Sequence, residues 1–356
     1  MTLLSTGASK PRLRVMVVDD SAVFRRLASQ CLGELPGVDC VGTAADIKAA
    51  IVRLENSEID VAIIDVALRG ESGLDLLKWL REQDRGVTPF LMTAGNAEGV
   101  RTEVDALMLG AAGLLLKPSG PDAPARFVEM LGSVLQGIQP GKNRRTPSPG
   151  IAMPAYREVI AVGASTGGPP VLATFLQTLP ADFDTPILIV QHIPELHVPY
   201  LADLLAQKSG RTVVLGKSGM LVERSTVYMA CDAKHMLVNR SGSRLVIVQS
   251  DAEPEHHCRP AVDPLFRSVA AACGSSSVGV VMTGMGSDGA LGAVALAARG
   301  APVIVQDQKT SVIWSMPGAV FSAGAATAIA SSGEIANYVD RWTASRRAPS
   351  VVGGNQ

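Results

Sequence analysis

The alternation of two hydrophobic patterns constrains the fold of this chain more than any other feature. From residue 13 onward, short runs rich in β-branched residues are followed by amphipathic stretches with the period of a helix. Parallel strands joined by crossover helices satisfy this alternation. We therefore predict α/β architecture with helices on both faces of a sheet. The first strand and helix pairs are 13–18 with 22–35, 61–64 with 73–81, and 89–92 with 97–109.

The alternation pauses once in the middle of the chain. It stops after a helical segment at 125–134, with Pro124 expected just outside its first turn, and resumes at Val159. Residues 136–155 between them are rich in Pro, Gly and basic residues, which predicts a linker. A length of 356 residues also favours two domains. We therefore predict one domain at 11–135 and a second at 156–345.

The second domain is predicted to be another doubly wound, mostly parallel α/β domain. Its helical segments include 171–179 and 290–298. An antiparallel hairpin is expected across 227–248, because the segment between the strands is too short for a crossover helix. The predicted strands are 159–162, 186–191, 212–215, 227–230, 245–248, 278–282 and 302–306.

Composition excludes several classes of protein. With 32 basic and 33 acidic residues the net charge is -1, so no overall charge attracts nucleic acid or an anionic membrane. Two long uncharged stretches, 268–287 and 310–333, are interrupted by Gly, Ser, Thr or Pro and are not predicted to span a membrane. Five scattered cysteines predict neither disulfides nor a zinc site. Since residues 1–14 do not resemble a secretory signal, we expect a soluble, cytoplasmic protein.

Polar residues follow the predicted strands of the first domain. Asp19 and Asp20 follow the first strand, Asp65 ends the third, Thr93 follows the fourth and Lys117 follows the fifth. These strand ends meet at one edge of a parallel sheet. Three carboxylates brought together repel one another and favour a hard cation such as Mg²⁺. A carboxylate beside Mg²⁺, a lysine and a threonine is suited to accepting a phosphoryl group.

This set of residues resembles the site of response-regulator receiver domains. The resemblance implies a flavodoxin-like (βα)5 fold with Asp65 as the phosphoacceptor. It also implies that Lys117 contacts the phosphoryl group and that Thr93 senses it. The Mg²⁺ ligands that it implies are Asp19, Asp20, Asp65 and the backbone carbonyl of Ala67.

The first domain departs from the receiver pattern at two places. Leu68 and Arg69 replace the usual Met-Pro after the phosphoacceptor, and Leu114 stands where many receivers have an aromatic switch residue. Acceptance of a phosphoryl group does not depend on these positions. The route by which the signal leaves the domain therefore stays open.

A glycine-rich segment follows the first strand of the second domain. Ser165 lies in the Gly-x-Ser-x-Gly pattern of a nucleophile elbow, at residues 163–167, and Pro169 and Pro170 suit the first turn of the next helix. A glycine-rich turn before a helix can instead bind phosphate, although no Gly-Lys-Ser/Thr follows. The pattern alone does not decide between the two.

Two further strand ends favour catalysis. The strand at 186–191 leads to His192, and the strand at 278–282 leads to a glycine-rich loop that carries Asp288. A serine hydroxyl needs a neighbouring imidazole to accept its proton, and that imidazole needs a carboxylate to orient it. Ser165, His192 and Asp288 suit these roles.

The second domain also resembles a known family in its motifs. Gly-Ala-Ser-Thr-Gly-Gly, Val-Gln-His-Ile-Pro and Thr-Gly-Met-Gly-Ser-Asp-Gly are similar to those of the CheB family of chemotaxis protein-glutamate methylesterases. The resemblance implies Ser165 as the nucleophile, His192 as base and then acid, and Asp288 as its orienting partner. It implies that Thr166 and Met285 line the site, with the Met285 N–H helping to stabilise the oxyanion.

The same resemblance implies partners and regulation. The substrate would be the methylated cytoplasmic domain of a chemoreceptor, with glutamine deamidation as a second activity. A chemotaxis-type histidine kinase would phosphorylate the receiver, which covers the active site until then. Mg²⁺ would bind the receiver, and no cofactor is expected in the esterase domain. Two alternatives stay open: a non-hydrolytic signalling scaffold, and a serine hydrolase with a different ester or amide substrate.

The departures from the CheB pattern concentrate on the substrate side. They include Leu196, Cys231 and Gly318, and they leave the identity of the receptor open. The other histidines lack the spacing of a metal site and are not assigned to one. These are His197, His235, His256 and His257.

Overall fold

The structure is a computed structural model that describes residues 12–83, 85–94, 99–135, 138 and 157–343. The chain divides into two compact units, residues 1–143 and 144–356. Except for Ile138, the predicted linker at 136–155 lies outside the described residues. The positions of the two domain boundaries therefore stay predictions.

The first unit is a five-stranded parallel sheet with a helix after each strand. The sheet order is β2-β1-β3-β6-β7, in which each strand is parallel to its neighbours, and β4 and β5 form a separate two-stranded hairpin. This is the doubly wound flavodoxin-like order, so the predicted fold is confirmed. The elements are β1 (Leu13–Val18), α1 (Ala22–Gly33), β2 (Val38–Ala44), α2 (Ile47–Asn56), β3 (Val61–Asp65), β4 (Ala67–Leu68), β5 (Glu71–Ser72), α3 (Gly73–Gln83), β6 (Thr88–Thr93), α4 (Val100–Met108), β7 (Gly113–Leu116) and α5 (Ala123–Leu135).

Local sequence explains where several of these helices begin. The side chains of Ser21 and Asp46 accept hydrogen bonds from backbone N–H groups in the first turns of α1 and α2. The start of α5 differs from the prediction, because Pro124 is its second residue and lies inside the first turn. A proline is tolerated there, since the first N–H groups of a helix have no acceptor within the helix.

The second unit is built on a seven-stranded parallel sheet. Its order is β10-β11-β9-β8-β14-β15-β16, and β12 and β13 form a separate antiparallel hairpin. The elements are β8 (Val159–Ala164), α6 (Gly168–Thr178), β9 (Ile187–Gln191), α7 (Val198–Ser209), β10 (Thr212–Gly216), β11 (Thr226–Ala230), β12 (His235–Ser241), β13 (Arg244–Ser250), α8 (Val262–Cys273), β14 (Ser277–Val281), α9 (Ala290–Ala298), β15 (Val303–Gln306), α10 (Ser315–Ser322), β16 (Ala328–Ala330) and α11 (Ile335–Thr343).

The hairpin is confirmed, but its composition corrects the prediction. Its strands are β12 and β13, whereas β11 lies in the main sheet, parallel to both β10 and β9. No helix joins β10 to β11. Instead, the connecting segment runs along β13: Val222 N donates to Leu245 O, and Ile247 N donates to Met220 O, both at 2.9 Å. The connection can therefore join the parallel strands β10 and β11 without a helix, because β13 provides hydrogen-bond partners for its backbone groups.

The centre of the second sheet positions the site. Every residue of β8, β9 and β14 is buried, as expected for central strands covered by helices on both faces. These three strands are neighbours, so their carboxyl ends lie side by side. Over the described residues, no helix has the length and apolar character needed to cross a bilayer.

Candidate functional site

Ser165 is the first residue after β8. Its N–H donates to Thr283 O (3.0 Å), and its carbonyl accepts from Gly168 N (2.8 Å). The left-handed residue of this turn is Gly167 (φ 75°) and not Ser165, in contrast to a strained nucleophile elbow. A Cβ at Gly167 would lie 2.5 Å from the Val312 side chain, so both conformation and space require glycine.

His192 occupies the equivalent position after the neighbouring strand. Ala164 and Gln191 are paired in the sheet, which places Ser165 and His192 next to each other along the edge. The Gln191 side-chain amide donates to the carbonyls of Ser165 (2.9 Å) and His192 (3.0 Å). Gln191 therefore fixes the two strand ends together, a role that the sequence pattern did not indicate.

Asp288 approaches His192 from the loop after β14. Its Oδ2 lies 2.8 Å from His192 Nε2, and the residue is buried. Two backbone groups at the start of α8 also donate to this carboxylate: Val262 N to Oδ2 (2.7 Å) and Asp263 N to Oδ1 (2.9 Å). Burial raises the pKa of Asp288, but His192 and the two N–H groups outweigh it and hold the pKa below its usual value.

The same contact changes the proton affinity of His192. Burial lowers its pKa, whereas the hydrogen bond to Asp288 and an interaction with the Cys258 thiol raise it, and the net effect raises the pKa of His192 to about 9. Nε2 faces Asp288, which leaves Nδ1 as the ring nitrogen for proton transfer. The contact of Cys258 with His192 was not predicted, because it depends on a turn that the sequence does not specify.

The loop that carries Asp288 is anchored by buried polar contacts. Thr283 donates through its hydroxyl to Thr166 O (2.9 Å), and its N–H donates to the Gln306 side chain (2.8 Å). Gly284 packs so closely that a Cβ there would lie 2.8 Å from Ser165 Cβ. Met285 is half-buried in this loop, and within the described part of the chain no acceptor takes its backbone N–H.

The first unit holds a second carboxylate site, at the edge of its own sheet. Asp19, Asp20 and Asp65 each offer an oxygen, and these atoms lie within 4.8 Å of one another. Lys117 Nζ lies 2.8 Å from Asp19 Oδ2 and 2.6 Å from Asp65 Oδ2. A set of carboxylate oxygens is the donor chemistry that Mg²⁺ prefers, so these residues fit the predicted ion.

Burial and the lysine act against each other at this site. Burial raises the pKa of Asp65 and outweighs the lowering effect of Lys117. Burial also lowers the pKa of Lys117. Its ion pairs with Asp19 and Asp65 have a larger effect in the opposite direction, so the pKa of Lys117 lies above its usual value. Asp19 and Asp65 therefore share the single positive charge of Lys117, which does not offset the effect of burial on the pKa of Asp65.

Two neighbouring contacts were not predicted from sequence. Arg69, which replaces the usual proline, reaches Asp20 Oδ2 (Nε to Oδ2, 3.1 Å) although its own side chain is exposed. The Thr93 hydroxyl donates to the carboxylate of Glu103, a buried residue of α4.

Two other residues of the predicted receiver site have clear positions. Ala67 N lies 3.4 Å from Asp65 Oδ1, and Leu114 is half-buried in β7. The roles of these residues in signalling stay predictions.

Comparison with known proteins identifies the family of each unit. Residues 160–339 match the CheB methylesterase family model, and residues 15–128 match the response regulator receiver domain model. The chain is similar to protein-glutamate methylesterase/protein-glutamine glutaminase 1 of Paramagnetospirillum magneticum (32% identity, covering 97% of this chain and 100% of that protein). It is also similar to protein-glutamate methylesterase/protein-glutamine glutaminase 2 of Caulobacter vibrioides (35% identity, 92% and 98%).

A solved structure extends the likeness to three dimensions. The Thermotoga maritima CheB methylesterase catalytic domain aligns with a TM-score of 0.50 and 31% identity, covering 51% of this chain and 97% of that domain. The family model, the full-length relatives and this structure all agree on the second unit. The chain therefore belongs to the CheB methylesterase family and carries a response-regulator receiver domain ahead of its esterase domain.

Proposed function

We propose that this chain is a cytoplasmic, phosphorylation-regulated protein-glutamate methylesterase and protein-glutamine glutaminase that acts on chemoreceptor cytoplasmic domains. The observation that carries the proposal is the His192–Asp288 hydrogen bond, which lies at the strand end next to Ser165. The names of the full-length relatives supply the substrate class, glutamate methyl esters and glutamine amides in proteins.

Ser165 is the nucleophile of the proposed reaction. Its Oγ attacks the γ-carbonyl carbon of the methyl ester while Nδ1 of His192 accepts the hydroxyl proton. Asp288 stabilises the resulting imidazolium, and the Met285 N–H donates to the developing oxyanion. The C–O bond to the methoxy group then breaks, and His192 returns the proton so that methanol leaves.

Water completes the cycle. His192 accepts a proton from water as the water oxygen attacks the acyl carbon. The bond from that carbon to Ser165 Oγ then breaks, and His192 returns the proton to Oγ, which releases glutamate and restores the free serine. A glutamine side chain follows the same route with ammonia as the leaving group. Thr166 lines the site beside the nucleophile, where its carbonyl is already held by Thr283.

Asp65 is the proposed phosphoacceptor of the receiver domain. Mg²⁺ held by Asp19, Asp20, Asp65 and the Ala67 carbonyl would neutralise charge during phosphoryl transfer. Lys117 supplies a cation within reach of Asp65, and Thr93 supplies a hydroxyl at the end of the adjacent strand β6. A histidine kinase of the chemotaxis type is the proposed phosphodonor, and phosphorylation relieves inhibition of the esterase by the receiver.

Methanol release from a methylated chemoreceptor cytoplasmic fragment tests this function. The parent chain should release methanol, whereas Ser165→Ala should not. Ser243→Ala, an exposed serine of the β12–β13 turn, is the matched control and should behave as the parent. Absence of release by the parent, together with covalent labelling of Ser165 by a fluorophosphonate, would favour a serine hydrolase with another substrate.

Acetyl phosphate tests the regulation. It should accelerate hydrolysis by the parent and leave Asp65→Asn at its basal rate, because an amide cannot accept the phosphoryl group. An equal rate with and without phosphodonor, when Asp65 is shown to be phosphorylated by mass spectrometry, would refute the regulatory part of the proposal.

A further inference from the structure

A second buried carboxylate lies directly behind the proposed triad. Asp263 is fully buried, and one of its oxygens lies within 4.8 Å of an Asp288 oxygen and a His256 ring nitrogen. Burial raises the pKa of Asp263, and the charge of Asp288 adds to this effect. Two carboxylates this close to each other need compensating donors to stay ionised.

The donors come from two helix starts, in a reciprocal arrangement. Asp288, just before α9, accepts from Val262 N and Asp263 N at the start of α8. Asp263, in the first turn of α8, accepts from Gly292 N in the first turn of α9 (2.6 Å). Each carboxylate thus occupies the electropositive end of the other's helix. The position of Asp288 therefore depends on the side chain of Asp263.

The remaining oxygen of Asp263 faces His256. His256 Nε2 lies 2.8 Å from Asp263 Oδ2, and its Nδ1 lies 3.5 Å from the Ser287 hydroxyl, next to Asp288. His256 has a φ of 52°, a left-handed conformation that is costly for a residue with a side chain. Its contacts hold it in this conformation.

The turn that carries His256 is itself fixed at both ends. Glu255 and Cys258 exchange two backbone hydrogen bonds (3.1 and 2.8 Å), and Arg267 of α8 donates to the Glu255 carboxylate (Nη1 to Oε2, 3.0 Å). Cys258, the last residue of the turn, contacts His192. One short turn therefore contacts both members of the His192–Asp288 pair, directly at His192 and through Asp263 at Asp288.

We infer that Asp263 and His256 are positioning residues that hold Asp288 against His192. The inference rests on the proposed triad and deepens it, because it assigns a function to two residues that touch neither the serine nor the reacting carbonyl. Replacing either residue should lower kcat and leave KM nearly unchanged, because the substitution misorients the base His192 and does not affect substrate binding.

Steady-state kinetics of the full chain provides the first test. We expect His256→Ala and Asp263→Asn to lower kcat about ten- to hundredfold. His256→Gln should recover much of the loss, because its side-chain amide can donate to Asp263. His257→Gln is the matched control: this exposed neighbour shares the left-handed backbone, with a φ of 61°, and should keep the parental kcat.

Proton NMR provides a second test that does not require turnover. The low-field imidazole resonance of the His192–Asp288 hydrogen bond should shift or broaden in His256→Ala and Asp263→Asn, and should keep its position in His257→Gln. If the parent releases no methanol, the proposed function fails while this spectrum still tests the positioning. Parental kcat and an unmoved resonance in both variants would overturn the inference, as would a kcat loss matched by a lower Tm with an unmoved resonance.

Discussion

The two sheets of this chain each gather carboxylates at their carboxyl edge but stabilise them in different ways. In the receiver, Asp19 and Asp65 depend on Lys117, a side-chain cation that is 28% exposed. In the esterase, Asp288 is held by two main-chain N–H groups and one imidazole. A side-chain cation can move when another cation arrives, whereas main-chain groups cannot. The first site is therefore suited to exchange of ions, and the second to fixed geometry.

Removing the esterase carboxylate should have the largest effect. Asp288→Asn leaves the main-chain donors without a charged acceptor and favours the wrong tautomer of His192. We expect kcat to fall by roughly 10⁴-fold, as in other triads that lose this charge. Methanol release measures it, with Asp251→Asn, an exposed carboxylate near Lys234, as the control. A loss of kcat below tenfold would contradict the claim that the esterase site depends on the fixed position of the Asp288 carboxylate.

Removing the Lys117 side chain from the receiver site should affect stability more than activity. Lys117→Met leaves two buried carboxylates without their shared partner, which should lower the free energy of unfolding by about 3 kcal/mol without Mg²⁺. Saturating Mg²⁺ should restore most of this loss if a metal ion replaces the lysine. Urea denaturation with and without Mg²⁺ measures both effects, with the exposed Lys78→Met as the control. Equal losses in the two conditions would show that the cations are not exchangeable.

The pH dependence of hydrolysis tests the electrostatics of the esterase site. Only neutral His192 accepts a proton, and its pKa is raised to about 9. The rate constant kcat/KM should therefore rise roughly 50-fold from pH 7 to pH 9 and level off above it.

Stability should change in the opposite direction over the same range. Because folding raises the pKa of His192 above its usual value of 6.5, its contribution to stability is complete below pH 6.5 and is lost as the pH rises through about 9. Denaturation of the parent and of Asp288→Asn across this range measures the difference. A pH-independent kcat/KM above pH 6.5 would rule out the raised pKa.

Arg69 should give the smallest effect. Its guanidinium pairs with Asp20 from an exposed position, so it competes weakly with a divalent ion. Arg69→Ala should tighten Mg²⁺ binding about two- to fivefold, as measured by calorimetry. Arg81→Ala, an exposed arginine on α3, should bind as the parent does. Weaker binding in Arg69→Ala would show that the arginine supports the metal site.

The sequence predicted what depends on strand ends and failed where contacts depend on turns. Alternating patterns identified both parallel sheets, and polar residues at strand ends predicted the positions of Ser165, His192 and Asp65 along the sheet edges. Their functional roles stay predictions. His256 was set aside because no carboxylate lies at metal-ligand spacing in the sequence. Asp263, seven residues later, reaches it only because the turn at 255–258 reverses the chain.

The hairpin error has a similar origin. β12 was not predicted, and the short segment between the predicted strands at 227–230 and 245–248 therefore suggested that these two strands pair antiparallel. In the structure β13 pairs with β12 instead, and β11 lies in the main sheet beside β10. The connection from β10 to β11 pairs with β13, which lies more than twenty residues further along the chain. Glu103 was missed for a comparable reason: its contact with Thr93 spans the β6–α4 connection, and a buried glutamate leaves no periodic signal.

The extended crossover also imposes an order on folding. Gly219, Met220 and Val222 form backbone hydrogen bonds with β13, so the connection between β10 and β11 reaches its final arrangement only after β13 is in place. Contacts that wait for distant sequence form slowly, because the loop between them must close first. We therefore expect this edge to be the last part of the esterase sheet to become protected from hydrogen exchange during refolding, well after the strands that carry Ser165 and His192.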